Sequence, residues 1–280
     1  TVRLSPKNND EVGRLMLGFN AMVGNLELAQ KELQSMHYQQ MERADRLASI
    51  GEMAAGLAHE IKNPLAGISG AISVLADDYP DEDPRREIFA QIQDQISRLD
   101  KTVTDLLYFG RPGEPEFSYA DINNLLKQTL LFVAQHPEAR NIGRVEDLTP
   151  DLPPVWVDQK QIQQVLLNVC INALQAMDGS GMLSVSTSTN SHDEKKWVRA
   201  EIRDNGPGMA PAVQEQIFTP FYTTKTQGTG LGLPICRQLM ENNGGTLQVE
   251  SQLGRGSCFI LELPVLEGVE VLEDGRLEVL

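Results

Sequence analysis

The sequence predicts an α plus α/β protein, in which a dimeric four-helix bundle of helical hairpins is followed by a mixed α/β domain. Three observations support this prediction. A heptad stripe runs through residue 61, a proline-rich acidic segment follows at 77–85, and helical and strand-like patterns mix from Asp121 onward. At 280 residues the chain is long enough for two or more domains, and its 41% apolar content can supply their cores.

The composition excludes several classes of function. The net charge is −15, so the chain repels nucleic acid and anionic lipid, and we expect neither as a partner. Three isolated cysteines argue against a disulfide framework and against a zinc site. No apolar run approaches the roughly 18 residues of a membrane span. The chain begins with Thr1 rather than Met, which suggests a piece of a longer protein.

The N-terminal stripe has the spacing of a coiled coil. Apolar positions alternate three and four residues apart over 12–36 and again over 47–61, with a polar layer at Gln40 and Arg43 between them. One helix cannot bury so narrow a stripe, so we expect a parallel partner helix. A plain coiled-coil spacer would explain most of this stretch equally well.

The prolines within 77–85 predict the end of the first helix. A second apolar stripe at helical spacing covers 92–106, so two helices joined by a short acidic loop should form an antiparallel hairpin. Two such hairpins would pair into a four-helix bundle. The glycines and prolines of 110–116 predict a linker after it.

The remaining residues predict an α/β domain. Asp158 has the position of a helix N-cap, and the chain between Asn205 and Gly232 is a long loop of the kind that is usually functional. The C-terminal residues 269–280 predict a hairpin that turns at Asp274 and Gly275. Helical patterns cover 123–135 and 159–177, and strand-like runs cover 182–189, 197–203, 246–251 and 257–263.

The segment HEIKNPL at 59–65 is the first that contains candidate catalytic residues. His59 falls at the most exposed heptad position, where a histidine is usually mere surface. Here, however, Glu60 can hold the proton of one ring nitrogen and leave the other as a neutral nucleophile. Asn63 lies on the same helical side, where its amide can position a water, and Pro64 should bend the helix.

Asn168 and Asn172 lie four residues apart on one face of an apolar helix, VLLNVCINALQAM. Asparagines are costly to bury without partners, so the pair is either solvated or functional. In the functional interpretation, a neutral amide oxygen completes the coordination of a Mg²⁺ that phosphates and water hold.

Asp204 opens the segment DNGPGM directly after a predicted strand. It falls on the same side as the alternating apolar residues of that strand, so its carboxylate needs a hydrogen-bond donor, and an adenine amino group would serve. The segment DNGPG taken alone is also a common turn.

The segment GTGLGL at 228–233 opens a helix. Its glycines let backbone N–H groups approach a phosphate, and the helix N-terminus adds positive dipole, although one such motif is weak evidence. In the preceding FTPFYTTK, Phe218 and Phe221 can anchor a mobile lid while Lys225 reaches a phosphate.

Taken in order, HEIKNPL, NVCINALQA, DNGPGM, FTPFYTTK, GTGLGL and GRGSCF resemble the H, N, G1, F, G2 and G3 boxes of sensor histidine kinases. The resemblance runs from about Leu47 to Pro264. Residues 106–112 also resemble the end of the second bundle helix in the nitrogen-regulator-like branch. Residues 10–22 are similar to the second helix of a HAMP signal relay.

The resemblance implies a role for each motif. His59 would accept phosphate with Glu60 as its general base, Asn172 would bind Mg²⁺, and Asp204 would hold adenine in an α/β sandwich of the histidine kinase/Hsp90-like ATPase type. Gln175 departs from the family, because many members have Lys or Arg there, so phosphate neutralisation would fall more heavily on Lys225. The nucleotide-binding residues that it implies are Asn168, Asn172, Asp204, Gly206, Gly208, Phe218, Lys225, Gly228, Thr229, Gly230, Leu231 and Gly232.

The function that the resemblance implies is ATP-dependent autophosphorylation of His59, followed by phosphotransfer to an aspartate in the receiver domain of a response regulator. The ExxN pattern of Glu60 and Asn63 resembles the phosphatase motif of the family, which predicts dephosphorylation of that regulator as well. The expected cofactors are ATP and Mg²⁺. The expected assembly is a homodimer, the cytoplasmic portion of a protein that upstream segments anchor in the inner membrane.

Two alternatives remain at this point. The chain could be a chaperone-like or mismatch-repair-like ATPase without a phosphohistidine, against which the HEIKNPL box argues. It could also be a non-catalytic dimeric scaffold, against which the intact asparagines and glycines argue.

The predicted domains are a HAMP helix and coiled coil at 1–35, a helical linker at 36–46, a dimerisation and histidine phosphotransfer domain at 47–110, a linker at 111–120, a catalytic ATP-binding domain at 121–264 and a C-terminal extension at 265–280.

Overall fold

The computed structural model describes most of the chain from residue 60 onward. The described N-terminal residues are helical, with Phe19 and Met22 exposed in the single chain. The heptad register, the polar layer at Gln40 and Arg43, and His59 lie outside the described residues. The described ranges are 18–19, 21–25, 31, 60–80, 83–110, 113–192, 195–225, 228–265, 269–271 and 277–279.

Two helices form the predicted hairpin. The described part of α1 covers 60–77, and α2 covers Pro84–Gly110. The side chain of Gln93 donates to the Ser73 hydroxyl at 2.9 Å, and Arg86 donates to the carbonyl oxygen of Ala76 at 3.2 Å, so the helices run antiparallel. Proline is tolerated in the first turn of α2, where no intrahelical partner for its N–H exists.

The hairpin leaves most of its apolar side chains uncovered in a single chain. Leu65 and Ile96 are buried, but the predicted stripe residue Leu99 is 53% exposed. The other large exposed residues are Ile61, Ile68, Val74, Leu75, Ile88 and Ile92. Such a set is typical of a face that packs against another helical element.

The second part of the chain is the predicted α/β domain. Its elements are β1 Ser118–Ala120, α3 Ile122–Val133, a 3₁₀ turn Pro137–Ala139, β2 Ile142–Leu148, β3 Val155–Val157, α4 Gln159–Met177, β4 Gly181–His192, β5 Lys195–Asp204, α5 Pro211–Gln214, α6 Gly232–Asn242, β6 Thr246–Gln252 and β7 Gly256–Pro264. The later segments β8 Val269–Val271 and β9 Leu277–Val279 pair antiparallel, as the predicted C-terminal hairpin requires, and its predicted turn at Asp274 and Gly275 lies outside the described residues.

Five strands form one sheet in the order β2-β4-β5-β7-β6. The pair β2 and β4 is parallel and the other pairs are antiparallel. Alternate residues of the strands, such as Val198, Ala200 and Ile202, join the buried core with side chains of α3, α4 and α6. This alternation explains why β5 is evident in the sequence, and it places Asp204 at the core end of the strand.

A smaller sheet closes the domain near its beginning. Here β1 pairs antiparallel with β3, with Tyr119 opposite Trp156 and their rings 4.5 Å apart. Strand β1 lies inside the segment predicted as a linker at 111–120. Three-residue strands carry too few alternating positions to be seen in a sequence, which is why neither β1 nor β3 was predicted.

A buried polar network joins α4 to α6. The Asp158 carboxylate caps α4 as predicted, since it accepts hydrogen bonds from the backbone N–H groups of Lys160 and Gln161. Asn243 accepts from the backbone N–H of Asp158 at 2.7 Å and donates to the Gln161 side chain at 2.9 Å. Asp158, Gln161 and Asn243 are all buried, so a polar atom that lost its partner in this network would not regain one from water.

Among the residues described, none of the helices combines the length and the apolar character that crossing a membrane requires.

Asn243→Ala should lower the free energy of unfolding of the α/β domain by about 2–4 kcal/mol, because it leaves the Asp158 N–H and the Gln161 amide oxygen buried without partners. Asn242→Ala is the matched control. Its side chain makes no hydrogen bond with the described residues, so the loss should stay below about 0.5 kcal/mol. Urea unfolding followed by tryptophan fluorescence measures both, and equal losses would contradict the network.

Candidate functional site

The predicted nucleotide residues converge at one edge of the α/β domain. The end of β5, the second half of α4, the loop 205–231 and the start of α6 meet there. A Cβ atom built on Gly206 would lie 3.1 Å from the carbonyl oxygen of Ala176, and one on Gly232 would lie 3.9 Å from the Asn168 amide nitrogen. Residues that are up to 64 positions apart in the sequence, such as Asn168 and Gly232, therefore line one site.

Asp204 is the buried acid of the site. It is 3% exposed, and its Oδ1 accepts hydrogen bonds from the backbone N–H of Gly206 at 2.9 Å and of Ser257 at 3.3 Å. Burial raises the pKa of this carboxyl, and the two backbone donors oppose that rise. A carboxylate fixed in this way can accept a further hydrogen bond from an amino group without reorganising.

Glycines allow the backbone to pack tightly around Asp204. Gly208 has φ +65°, and a Cβ there would overlap the carbonyl oxygen of Gln252. Gly256 has φ +88°, and a Cβ there would overlap the carbonyl oxygen of Asp204. Both positions need glycine for its backbone conformation and for its missing side chain.

Asn168 faces the start of α6. Burial raises the pKa of the Cys236 thiol to about 12, and the Asn168 side chain beside it opposes that rise. A thiol with so high a pKa stays protonated and unreactive at neutral pH. Asn168 therefore links α4 to the helix whose first turn follows the glycine-rich loop.

Asn172 and Gln175 hold the lysine of the lid. The Lys225 Nζ donates to the Asn172 Oδ1 at 3.0 Å and to the Gln175 Oε1 at 2.6 Å. Desolvation lowers the pKa of Lys225, while the charge of Glu138 opposes this and that of Lys101 adds to it. The residue predicted to neutralise phosphate is thus placed beside the residue predicted to bind Mg²⁺.

The two phenylalanines of the lid differ in their surroundings. Phe218 is half-buried against the core, with the Arg237 guanidinium 3.7 Å from its ring centroid. Phe221 is 59% exposed, has φ +65°, and meets the Phe109 ring of α2 edge-on at 6.2 Å. Phe218 therefore anchors the lid to the core of its own domain, whereas the Phe221 ring packs against α2.

The glycine-rich loop also contacts α2. The Thr229 hydroxyl donates to the Asp105 carboxylate of α2 at 3.4 Å and accepts from the backbone N–H of Leu231 at 3.3 Å. Burial raises the pKa of Asp105. Gly230 has φ +68°, and a Cβ there would lie 2.5 Å from the backbone of Phe221. Gly228 packs in the same way against the Thr223 side chain.

Glu60 and Asn63 lie on α1, apart from this set. Both are exposed, while Leu65 of the same helix is buried. Among the described residues, no contact joins Glu60 or Asn63 to the nucleotide residues. The structure therefore divides the predicted site residues between a helical surface and the edge of the α/β domain.

Sequence reasoning missed three participants. Gln175 was noted only as a departure from the family, although it accepts the shortest hydrogen bond of Lys225. Asp105 lies beside the apolar stripe of α2, as several other polar residues do, so the sequence alone does not distinguish it. Ser257 contributes only a backbone N–H to Asp204, which no side-chain pattern can reveal.

Comparison with known proteins agrees with this division. Residues 157–267 match the family model of histidine kinase-, DNA gyrase B-, and HSP90-like ATPases, and residues 49–115 match that of the His Kinase A (phospho-acceptor) domain. The sensor histidine kinase ZraS of Escherichia coli K12 is 36% identical over 226 residues, which are 81% of this chain and 48% of ZraS. The chain belongs to the sensor histidine kinase family.

Further relatives are AtoS of Escherichia coli K12, 32% identical over 95% of the chain and 41% of AtoS, and sporulation kinase C of Bacillus subtilis 168, 33% identical over 89% of the chain and 57% of the kinase. The chain spans about half the length of the curated relatives it matches. Full-length ShkA solved with AMPPNP has a TM-score of 0.65 at 30% identity, over 76% of this chain and 45% of ShkA. ThkA in complex with the response regulator protein TrrA has a TM-score of 0.58 at 28% identity, over 82% of this chain and 66% of that one.

These comparisons confirm the predicted family, the helix-plus-sandwich fold class and the presence of an ATP-binding domain. The HAMP and nitrogen-regulator resemblances stay predictions, as do the domain boundaries and the roles of the individual site residues.

The residues present fit a nucleotide accompanied by Mg²⁺. The Asp204 carboxylate offers a hydrogen-bond acceptor, and the backbone packs so closely at Gly208 that no side chain fits there; together they form the cradle that would hold the adenine. No group of three His, Cys, Asp or Glu residues within the described ranges could hold a metal ion alone. A single amide oxygen at Asn172 suits Mg²⁺ that phosphates and water coordinate for the most part.

Gly208→Ala should weaken the binding of a fluorescent ATP analogue by at least about ten-fold, because the new Cβ must displace the backbone of Gln252 and Gly256, and Gly256 packs against the backbone of Asp204. Gly254→Ala is the matched control. Gly254 also has a left-handed φ, of +79°, but nothing lies within 4 Å of its built Cβ, so the Kd should change by less than about three-fold. Similar losses in both variants would show that backbone strain, rather than the cradle, controls the binding.

Proposed function

We propose that this chain transfers the γ-phosphoryl group of ATP to His59 and then to an aspartate of a response regulator. One observation carries the proposal. The phospho-acceptor match, which includes His59, and the ATPase match, which includes every predicted nucleotide residue, occur in one chain in that order.

The chemistry of the first step follows from the residue types. A neutral ring nitrogen of His59 attacks the γ-phosphorus in line with the leaving oxygen, so that an N–P bond forms as the bond to ADP breaks. Glu60, the next residue, accepts the proton of the other ring nitrogen and stabilises the positive charge that develops on the ring. Most of the catalysis is then positioning and charge stabilisation.

The α/β domain supplies the nucleotide. Asp204 accepts a hydrogen bond from the adenine amino group, and the loop 228–232 offers backbone N–H groups to the phosphates. Lys225 brings a positive charge from the lid. Asn172 would hold Mg²⁺, which would neutralise phosphate charge when bound.

The acceptor of the second step is the receiver domain of a response regulator. A phosphoramidate is reactive enough to pass its phosphoryl group to a carboxylate. The solved complex of ThkA with the response regulator protein TrrA supports such a partner for this chain. The exposed surface of α1 around Glu60 and Asn63 is the proposed docking site.

The proposed assembly is a homodimer through the hairpin. The exposed apolar residues of α1 and α2, among them Ile68, Val74 and Leu99, would be covered by the same residues of a second chain in a four-helix bundle. In the whole protein, residues 1–35 would continue a HAMP relay and the segments upstream would reach the inner membrane, which leaves this portion in the cytoplasm.

Asn63 gives the chain a second proposed activity, the dephosphorylation of its regulator. Its carboxamide is exposed four residues after His59, so it can orient a water toward a phosphoaspartate docked on the same surface. Phosphorylation and dephosphorylation of the regulator would then both use helix α1.

His59→Gln should abolish incorporation of acid-labile, base-stable phosphate from γ-labelled ATP, while the Kd for the nucleotide stays within about two-fold of wild type because the α/β site is separate. His37→Gln, which lies in the same predicted helix, should retain labelling. Undiminished labelling of the His59 variant would refute the assignment. ATP hydrolysis by wild type without any phosphohistidine would favour the chaperone-like ATPase instead.

Asn63→Ala should retain autophosphorylation but lose at least about ten-fold in the rate at which the chain dephosphorylates its phosphorylated regulator, since water is no longer oriented. The release of phosphate from isolated phospho-regulator, with ADP and Mg²⁺ present, measures this rate. An unchanged rate would remove the second activity and leave the kinase assignment intact.

A further inference from the structure

The hydrogen bonds of Lys225 are the feature of the site that the phosphoryl-transfer chemistry leaves unexplained. The Nζ binds two carboxamide oxygens of one helix, and the one on Gln175 is the nearer, at 2.6 Å against 3.0 Å for Asn172. Asn168, Asn172 and Gln175 follow one another at spacings of four and three on α4, so their side chains lie on one face of the helix.

We infer that Gln175 is a positioning residue that holds the Lys225 ammonium beside Asn172, and so docks the lid over the phosphate site before any nucleotide binds. The role of this contact in phosphate binding rests on the proposed function, but the geometry of the contact does not. The contact joins residues that are 50 positions apart, so it fixes the lid to α4 rather than ordering a local turn.

Near this point the lid is also held to the glycine-rich loop, because the Phe221 backbone N–H donates to the carbonyl oxygen of Gly230 at 3.0 Å. The Lys225 backbone N–H donates to the Thr223 hydroxyl at 3.1 Å, which is a contact within the lid itself. Phe218 anchors the beginning of the segment, seven residues earlier. None of these contacts involves the Lys225 side chain, so the two carboxamides of α4 determine where its ammonium group lies.

A carboxamide suits this role better than a carboxylate would. An amide oxygen accepts a hydrogen bond from the ammonium group without neutralising it, so the full positive charge remains available to a phosphate. A carboxylate at 175 would hold Lys225 at least as firmly, but it would cancel that charge and repel the triphosphate. Acceptor strength and net charge can thus be separated by substitution.

Three variants of the full chain test the inference. Gln175→Met removes the acceptor, Gln175→Glu keeps an acceptor and adds a negative charge, and Gln163→Met repeats the first change earlier on α4. The Gln163 side chain makes no hydrogen bond with the described residues. Gln175 is exposed, so none of these changes should prevent folding.

The first measurement needs neither nucleotide nor catalysis. The rate at which N-hydroxysuccinimide acetate acetylates Lys225 is measured by mass spectrometry, relative to exposed Lys127 of the same chain. The relative rate should rise at least about three-fold in Gln175→Met, because one of two charge-assisted hydrogen bonds is lost at a partly exposed site. It should not rise in Gln175→Glu or Gln163→Met.

The second measurement is the Kd for ATP with Mg²⁺. Gln175→Glu should weaken binding by about ten-fold, since it places a negative charge beside the phosphates although Lys225 stays protected. Gln163→Met should bind as wild type does.

Three results would overturn the inference: an unchanged Lys225 rate in Gln175→Met, an equal rise in Gln163→Met, or wild-type binding by Gln175→Glu. A loss of phosphohistidine chemistry in the wild-type chain would refute the proposed function, but it would leave the labelling result standing.

Discussion

The structure of the nucleotide site depends on the burial of the Asp204 carboxylate. Side chains of β5 alternate between the two faces of the sheet, and this alternation places Asp204 on the core side at the end of the strand. Desolvation there disfavours the charged form of its carboxyl group. Two backbone N–H groups, from Gly206 and Ser257, compensate for the lost water. They can reach the carboxylate only because the chain folds tightly back on itself at Gly208 and Gly256, where side chains would collide with neighbouring carbonyl oxygens.

The second half of the site depends on α4. This helix is fixed at its start by the Asp158 cap and by the bond from Asp158 to Asn243, and it presents amides on one face further along. Because the same helix packs against α3, α6 and the sheet, the positions of Asn168, Asn172 and Gln175 are set by the core rather than by a loop. A rigid element that carries neutral acceptors can hold both a lid cation and, in the proposed function, a metal ion.

The sequence predicts the parts of this fold that carry long, regular patterns. The helix at 159–177 and its cap at Asp158 agree residue for residue with α4, and the hairpin break at 77–85 agrees with the ends of α1 and α2. The missed strand β2 is exposed and lies parallel at a sheet edge, so its residues show neither alternation nor an apolar run. In α2, the predicted stripe residue Leu99 is exposed, whereas Asp105 and Phe109 are buried because they face the α/β domain. Contacts such as that of Lys225 with Gln175 join distant segments, so a pattern along the chain cannot reveal them.

The bonds between α2 and the loops of the nucleotide site have a thermodynamic consequence. Asp105 and Phe109 stand on the helix that pairs with α1, and their partners Thr229 and Phe221 belong to the loop and the lid. If occupancy of the nucleotide site alters these two contacts, then twisting the helical hairpin must alter nucleotide affinity by the same free energy, because coupling between two equilibria is reciprocal. In such a molecule, nucleotide binding would shift the conformational equilibrium of the bundle, and a change in the bundle would shift nucleotide affinity to the same extent.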